Sequence, residues 1–152
     1  YSAARFRVYP RYVVLAISTK HMREKPLILA ADDDKAFRGA VVFKLKASGF
    51  DVVEARDGNE AIEQAKKLLP DLALLDINMP GGPNGVEVAL ALKEMPETIN
   101  IKQVFLSGVD DPWPAFAGTK QEVSKELGAI DFFVKTGDFS DLVEKIKKVL
   151  SQ

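Results

Sequence analysis

From residue 25 onward, apolar and polar positions alternate between two rhythms. Two short apolar runs, "PLILA" (26–30) and "LALLD" (72–76), read as strands, as do the segments "DVVEA" (51–55), "IKQVFLS" (101–107) and "IDFFVK" (130–135). Between them lie segments with apolar residues at helical spacing. Ala36 to Ser48 carries Phe37, Ala40, Val41, Phe43 and Leu45, with Gly49 placed to end it. Asp57-Gly58 reads as a turn, Asn59 as the cap of a helix from Glu60 to Leu69, and Pro70 as its stop. Val86 to Met95 is helical and ends before Pro96. Thr119-Lys-Gln-Glu122 is a capping box for a helix to Leu127. Ser140 is read as the cap of a last helix with one stripe of Leu142, Val143, Ile146, Val149 and Leu150.

Five strand–helix units in succession predict an α/β fold with a parallel sheet covered on both faces. The expected architecture is a (βα)5 doubly wound sheet, flavodoxin-like, with strand order 2-1-3-4-5. A chain of 152 residues is long enough to bury one core of ordinary size.

Composition narrows the chemistry. There is no cysteine, which removes disulfides, thiolate metal sites and cysteine nucleophiles. Lys and Arg total 21, Asp and Glu 22, so no net field draws nucleic acid or an acidic membrane. No apolar run reaches the ~18 residues of a membrane helix. A cytoplasmic protein is expected. Residues 1–21 differ from the rest: they are basic and aromatic, with no acid before Met22. We read them as an appended or vector-derived segment joined at His21-Met22, with an extra strand or hairpin as the alternative. Their apolar part is too short for a secretory signal. Residues 22–152 form the domain proper.

Parallel sheets of this kind bind ligands outside the carboxyl ends of their strands, where strand order reverses. Strand 1 delivers Asp32 and Asp33 there, strand 3 Asp76, strand 4 Ser107 and strand 5 Lys135. Singly, each is an ordinary loop or cap residue. Together they place three carboxylates, a hydroxyl and an ammonium on one edge. Crowded carboxylates hold a proton unless a cation joins them. A hard divalent ion such as Mg²⁺ suits such oxygen ligands. Asp76 can then act as a nucleophile toward phosphorus, with Lys135 offsetting the transferred charge.

On these motifs the chain resembles the receiver domain of two-component response regulators over residues 25–151. "LILAADDDKAFR" is similar to the family's first strand and acidic pair. "PDLALLDINMPGGPNG" is similar to its third strand, phosphoacceptor aspartate, Met-Pro and the glycine opening the third helix. "VFLSG" and "GAIDFFVK" are similar to its fourth and fifth strands. The resemblance implies a phosphoacceptor at Asp76 and Mg²⁺, with Mn²⁺ as an alternative, bound by Asp32, Asp33, Asp76 and the backbone carbonyl of Asn78. Asp33 is implied as the direct ligand more than Asp32. It also implies that Ser107 and Lys135 bond the phosphoryl group and that Phe132 is the switch aromatic. The implied partners are a histidine kinase or phosphotransfer protein upstream, and an output protein or a missing output domain downstream. The protein is expected to be a monomer or weak homodimer, with no direct nucleic-acid contact, and not an enzyme beyond its own phosphorylation and dephosphorylation. The sequence stops soon after the last helix, which fits a single-domain regulator or a receiver excised from a longer protein.

Three departures from the family stand out. Lys135 is followed by Thr136-Gly137 where the family usually has a proline, so a trans path is expected. The loop "MPGGPNG" is longer than its common form. The segment after Ser107 is also long, with prolines on both sides of Trp113. It should shorten or displace the fourth helix, and Trp113 is either a partner anchor or local core. Asp110 and Asp111 are within reach of the cleft in sequence. Competing readings are weaker. A haloacid-dehalogenase-like phosphohydrolase wants an acid where Asn78 stands. A flavin or nucleotide binder wants a glycine-rich phosphate loop where the acid run stands. A receiver that binds partners without phosphorylation has no need of the full acid, hydroxyl and lysine set.

Overall fold

The computed structural model describes residues 23–108, 122, 126–127 and 131–152. Five parallel strands form one sheet: β1 (Leu27–Ala31), β2 (Asp51–Ala55), β3 (Leu72–Asp76), β4 (Lys102–Ser107) and β5 (Asp131–Val134), in order β2-β1-β3-β4-β5. Four helices lie complete within the described residues: α1 (Lys35–Ala47), α2 (Gly58–Leu68), α3 (Gly85–Glu94) and α4 (Phe139–Leu150). Glu122, Glu126 and Leu127 are also helical, and the rest of the helix expected at 119–127 lies outside the described residues. The expected strand order is the observed one, and the (βα)5 flavodoxin-like plan holds.

The pleat of the strands explains why the sheet is covered twice. Successive side chains alternate between faces. Leu29, Ala31, Ala73 and Leu75 face α2 and α3, packing with Ala61, Ala65, Val86, Ala89 and Leu92. Ile28, Leu72 and Leu74 face α1 and α4, packing with Val41, Leu45, Leu142, Val143 and Ile146. The central strand β3 is buried at every residue, as its unbroken apolar run requires. The edge strands β2 and β5 are only partly buried.

Two caps differ from the sequence reading. Asp57, not Asn59, caps α2, its carboxylate accepting from Glu60 N at 2.8 Å. The helix starts at Gly58, and that glycine lies against the loop after β3: a Cβ there would sit 2.0 Å from the Pro83 carbonyl oxygen. Asp138, not Ser140, caps α4, accepting from Ser140 N at 2.7 Å. The Asp precedes the helix in extended conformation, while Ser140 already lies within the helix's first turn. Asn84 caps α3 with Glu87 in a reciprocal capping box. Among the described residues no peptide bond is cis. None of their helices is long and apolar enough to cross a membrane.

Candidate functional site

The site is built on strand ends. Asp32 follows β1 directly and Asp76 ends β3, which are neighbours in the sheet. Both acids leave the most buried part of the fold, and their exposures are only 1% and 2%. Ser107 ends β4 and Lys135 follows β5, also neighbours. The Lys135 amide donates to the Ser107 carbonyl at 2.8 Å, which extends the β4–β5 ladder by one bond and fixes where the lysine departs.

From there the Lys135 side chain turns back across the mouth. Its Nζ lies 2.8 Å from Asp32 Oδ2 and 3.3 Å from Asp76 Oδ2. Asp33 completes the group: carboxylate oxygens of Asp32, Asp33 and Asp76 all lie within 4.8 Å of one another. Asp33 is exposed, so the cluster is open on its side and closed on the sheet side.

Each buried acid is held through its second oxygen. Asp32 Oδ1 accepts from Asp34 N at 2.9 Å, and Asp76 Oδ1 from Asn78 N at 3.2 Å. The backbone of Asp32 is gripped as well. Its N–H donates to Ala55 O at 3.1 Å, and its carbonyl accepts from Arg38 Nη1 at 2.6 Å while Arg38 Nε pairs with Glu54 at 3.0 Å. Gly85 lets the first turn of α3 lie against the peptide of Asp76: a Cβ would come within 2.2 Å of the Asp76 carbonyl oxygen.

Among the described residues the charges do not balance: three carboxylates face one ammonium. Burial first, and then the nearby Asp32 charge, push the Asp76 carboxyl up to about 8 against the opposing pull of Lys135. Burial pulls the Lys135 ammonium down. The contact with Asp32 and the negative charges of Asp76 and Asp32 outweigh it, leaving the lysine above its ordinary value. Asp32 Oδ2 is buried and, apart from the Lys135 ion pair, has no hydrogen-bond partner. An all-oxygen cluster with surplus negative charge and a spare buried lone pair fits a hard divalent cation.

The remaining predicted residues fall as follows. Asn78 is exposed beside Asp76. Phe132 is half-buried on β5, its ring 5.6 Å from that of Phe105. Trp113, Asp110 and Asp111 lie outside the described residues, as do residues 1–22. The sequence reading missed Phe37 and Arg38 as site residues. Phe37 sits under Lys135 with its ring centroid 4.9 Å from Nζ. The available signal was their position in the first turn after the acid run, which faces the same mouth.

A doubly wound five-stranded sheet with an acidic cluster and a lysine at its switch point defines a class of proteins. Comparison with known proteins places the chain within it: residues 28–147 match the response regulator receiver domain, and the chain belongs to that family. It is 35% identical over 126 residues to the transcriptional regulatory protein PrrA of Mycobacterium bovis, covering 82% of this chain and 50% of that protein. It is 34% identical over 123 residues to the phosphate regulon transcriptional regulatory protein PhoB of Escherichia coli, covering 81% and 51%. The chain thus spans about half the length of these curated relatives. Among solved structures, a putative response regulator from Chloroflexus aurantiacus superposes with a TM-score of 0.72 at 27% identity, over 85% of this chain and 100% of that one. A CheY-like receiver domain protein from Methanospirillum hungatei gives 0.71 at 25%, over 84% and 95%.

Proposed function

We propose that this receiver domain takes a phosphoryl group onto Asp76 from a phosphohistidine of a histidine kinase or phosphotransfer protein. An Asp76 carboxylate oxygen forms the new P–O bond as the donor's P–N bond breaks, and the imidazole leaves with the electron pair. The observation that carries the reading is the imbalance at the mouth: three carboxylates within 4.8 Å, two of them sharing the single ammonium of Lys135.

Asp32, Asp33, Asp76 and the Asn78 carbonyl are the proposed holders of Mg²⁺ or Mn²⁺. Bound there, the ion offsets carboxylate and phosphoryl charge. The protein's own groups do the rest. Asp76 is kept rigid by β3 and by the Asn78 N–H on Oδ1, which leaves Oδ2 facing Lys135. Lys135 moves its charge from Asp32 and Asp76 to the arriving phosphoryl oxygens. Ser107, at the end of the neighbouring strand β4, supplies a hydroxyl to the same group. Phe132 is the proposed switch aromatic, coupling occupancy of the site to the β4–β5 surface. Output then passes to a partner protein or to a domain outside this chain. The relatives named above, which are transcriptional regulators of about twice the matched length, support the second route.

The test is intact-mass analysis after incubation with acetyl phosphate and Mg²⁺. One phosphoryl adduct is expected on the wild-type chain and none on Asp76→Asn. Absence of the adduct on wild type, together with no Mg²⁺-dependent beryllofluoride binding, overturns the proposal.

A further inference from the structure

Lys135 reaches the acids on a long flexible stem, and the residues after it, Thr136 and Gly137, are exposed. A lysine so placed loses much rotamer freedom when it is held at one point. Yet its Nζ is placed within 3.3 Å of two different carboxylates. The bracing comes from across the sheet. The Phe37 ring, on the first turn of α1, lies 4.9 Å from Nζ, inside the range in which an aromatic face attracts an ammonium. Phe37 is itself held, its ring meeting that of Phe139 edge-on at 5.6 Å and 81°. Phe139 opens α4, the element that follows the lysine's own loop, and stacks obliquely on Phe133 of β5 at 6.4 Å.

We infer that Phe37 is a positioning residue for Lys135: its π face, fixed by Phe139, holds the ammonium over the mouth between Asp32 and Asp76. The inference rests on the phosphoacceptor reading of Asp76 for its kinetic consequence, but not for the contact itself. The carboxylates hold the lysine only while they are anionic and unshared. The aromatic face is indifferent to what occupies the acids, so it retains the ammonium as the charge around Asp76 is redistributed. A plain packing role for Phe37 is separable from this, because leucine fills similar space without a π face and tyrosine keeps both.

The experiment compares wild type, Phe37→Leu and Phe37→Tyr. In the wild-type protein the Lys135 ε-protons resonate upfield of those of exposed lysines, shifted by the ring current, and they return to the exposed position in Phe37→Leu. At saturating Mg²⁺ the rate of Asp76 phosphorylation by acetyl phosphate falls about 3- to 10-fold in Phe37→Leu and stays within about twofold in Phe37→Tyr. A Lys135 resonance that is unshifted in wild type overturns the inference without recourse to any variant. So does a Phe37→Leu rate equal to wild type, or a Phe37→Tyr rate as low as that of Phe37→Leu. Wild-type protein that shows the ring-current shift but takes up no phosphoryl group overturns the phosphoacceptor reading and leaves the brace standing.

Discussion

Strand β3 has an aspartate at each end, and the two are treated very differently. At the amino end Asp71 meets Arg23, 3.6 Å away, and its Oδ2 accepts from Leu27 N at 2.8 Å. The Arg23 guanidinium also donates to the carbonyls of Leu68 and Leu69 at the end of α2. One acid faces one cation there, and the surrounding groups are paired, so that end is closed and structural. At the carboxyl end Asp76 shares one ammonium with Asp32, and Asp33 stands beside them. Aspartate gives a tie-down at one end and a crowded acidic cluster at the other. The difference is stoichiometry and burial, not the chemistry of the acid.

The largest effect that can break this contrast is Asp76→Asn. It should abolish phosphoryl uptake, read by intact mass, while stabilising the metal-free fold. The sign follows from the raised carboxyl. Unfolded Asp76 gives up its proton near 3.8, whereas the folded one keeps it to about 8. Folding therefore binds a proton between those values, and without divalent cation stability falls as pH rises through that window. The loss is at most about 1.4 kcal/mol for each pH interval of one crossed within it. Urea titrations in chelator at pH 5 and pH 8.5 should show the slope in wild type and lose much of it in Asp76→Asn. Excess Mg²⁺ should likewise restore wild-type stability at the higher pH.

Next in size is Asp33→Asn, expected to weaken Mg²⁺ binding by about tenfold or more, measured by calorimetry, with little change in stability because the side chain is exposed. At the opposite end Asp71→Ala should do the reverse. It leaves Leu27 N without its acceptor and removes the Arg23 ion pair, and costs about 1–3 kcal/mol in urea unfolding, with Mg²⁺ affinity unchanged. The smallest effect calibrates both ends. Arg56, exposed just before α2, pairs with Glu60 at 3.2 Å, and Arg56→Ala should shift stability by no more than about 0.5 kcal/mol. A loss at Asp71 no larger than this would remove the claim that the amino end is a tie-down.

How much of this was readable from the chain depends on the distance over which each feature is determined. The bounds of β2 and β3 match the segments read as strands residue for residue, and for β3 the reason is that burial on both faces is written locally as an apolar run. The meeting of Asp32, Asp33, Asp76 and Lys135 at one edge was legible because the alternation of strands and helices dictates which chain ends meet. The start of α2 was not. Asp57, Gly58 and Asn59 all suit a helix entrance, and the close approach of Gly58 to Pro83, in a loop 25 residues away, leaves no mark on the local pattern. The Arg38 grip on the Asp32 carbonyl and the Phe37 ring beneath Lys135 were hidden for the same reason. A helical phenylalanine reads as core and a helical arginine as surface until the fold brings β2 and β5 beside them.

The backbone contact between Pro83 and Gly58 has a consequence for chimeras. The loop that follows β3 and the first residue of α2 are matched parts, with the Pro83 carbonyl set so close to Gly58 that no side chain fits between them. A loop transplanted from a receiver of different length would lose its seat unless residue 58 travelled with it. The natural unit of exchange is therefore not the loop alone but the loop together with the entrance of the helix beside it.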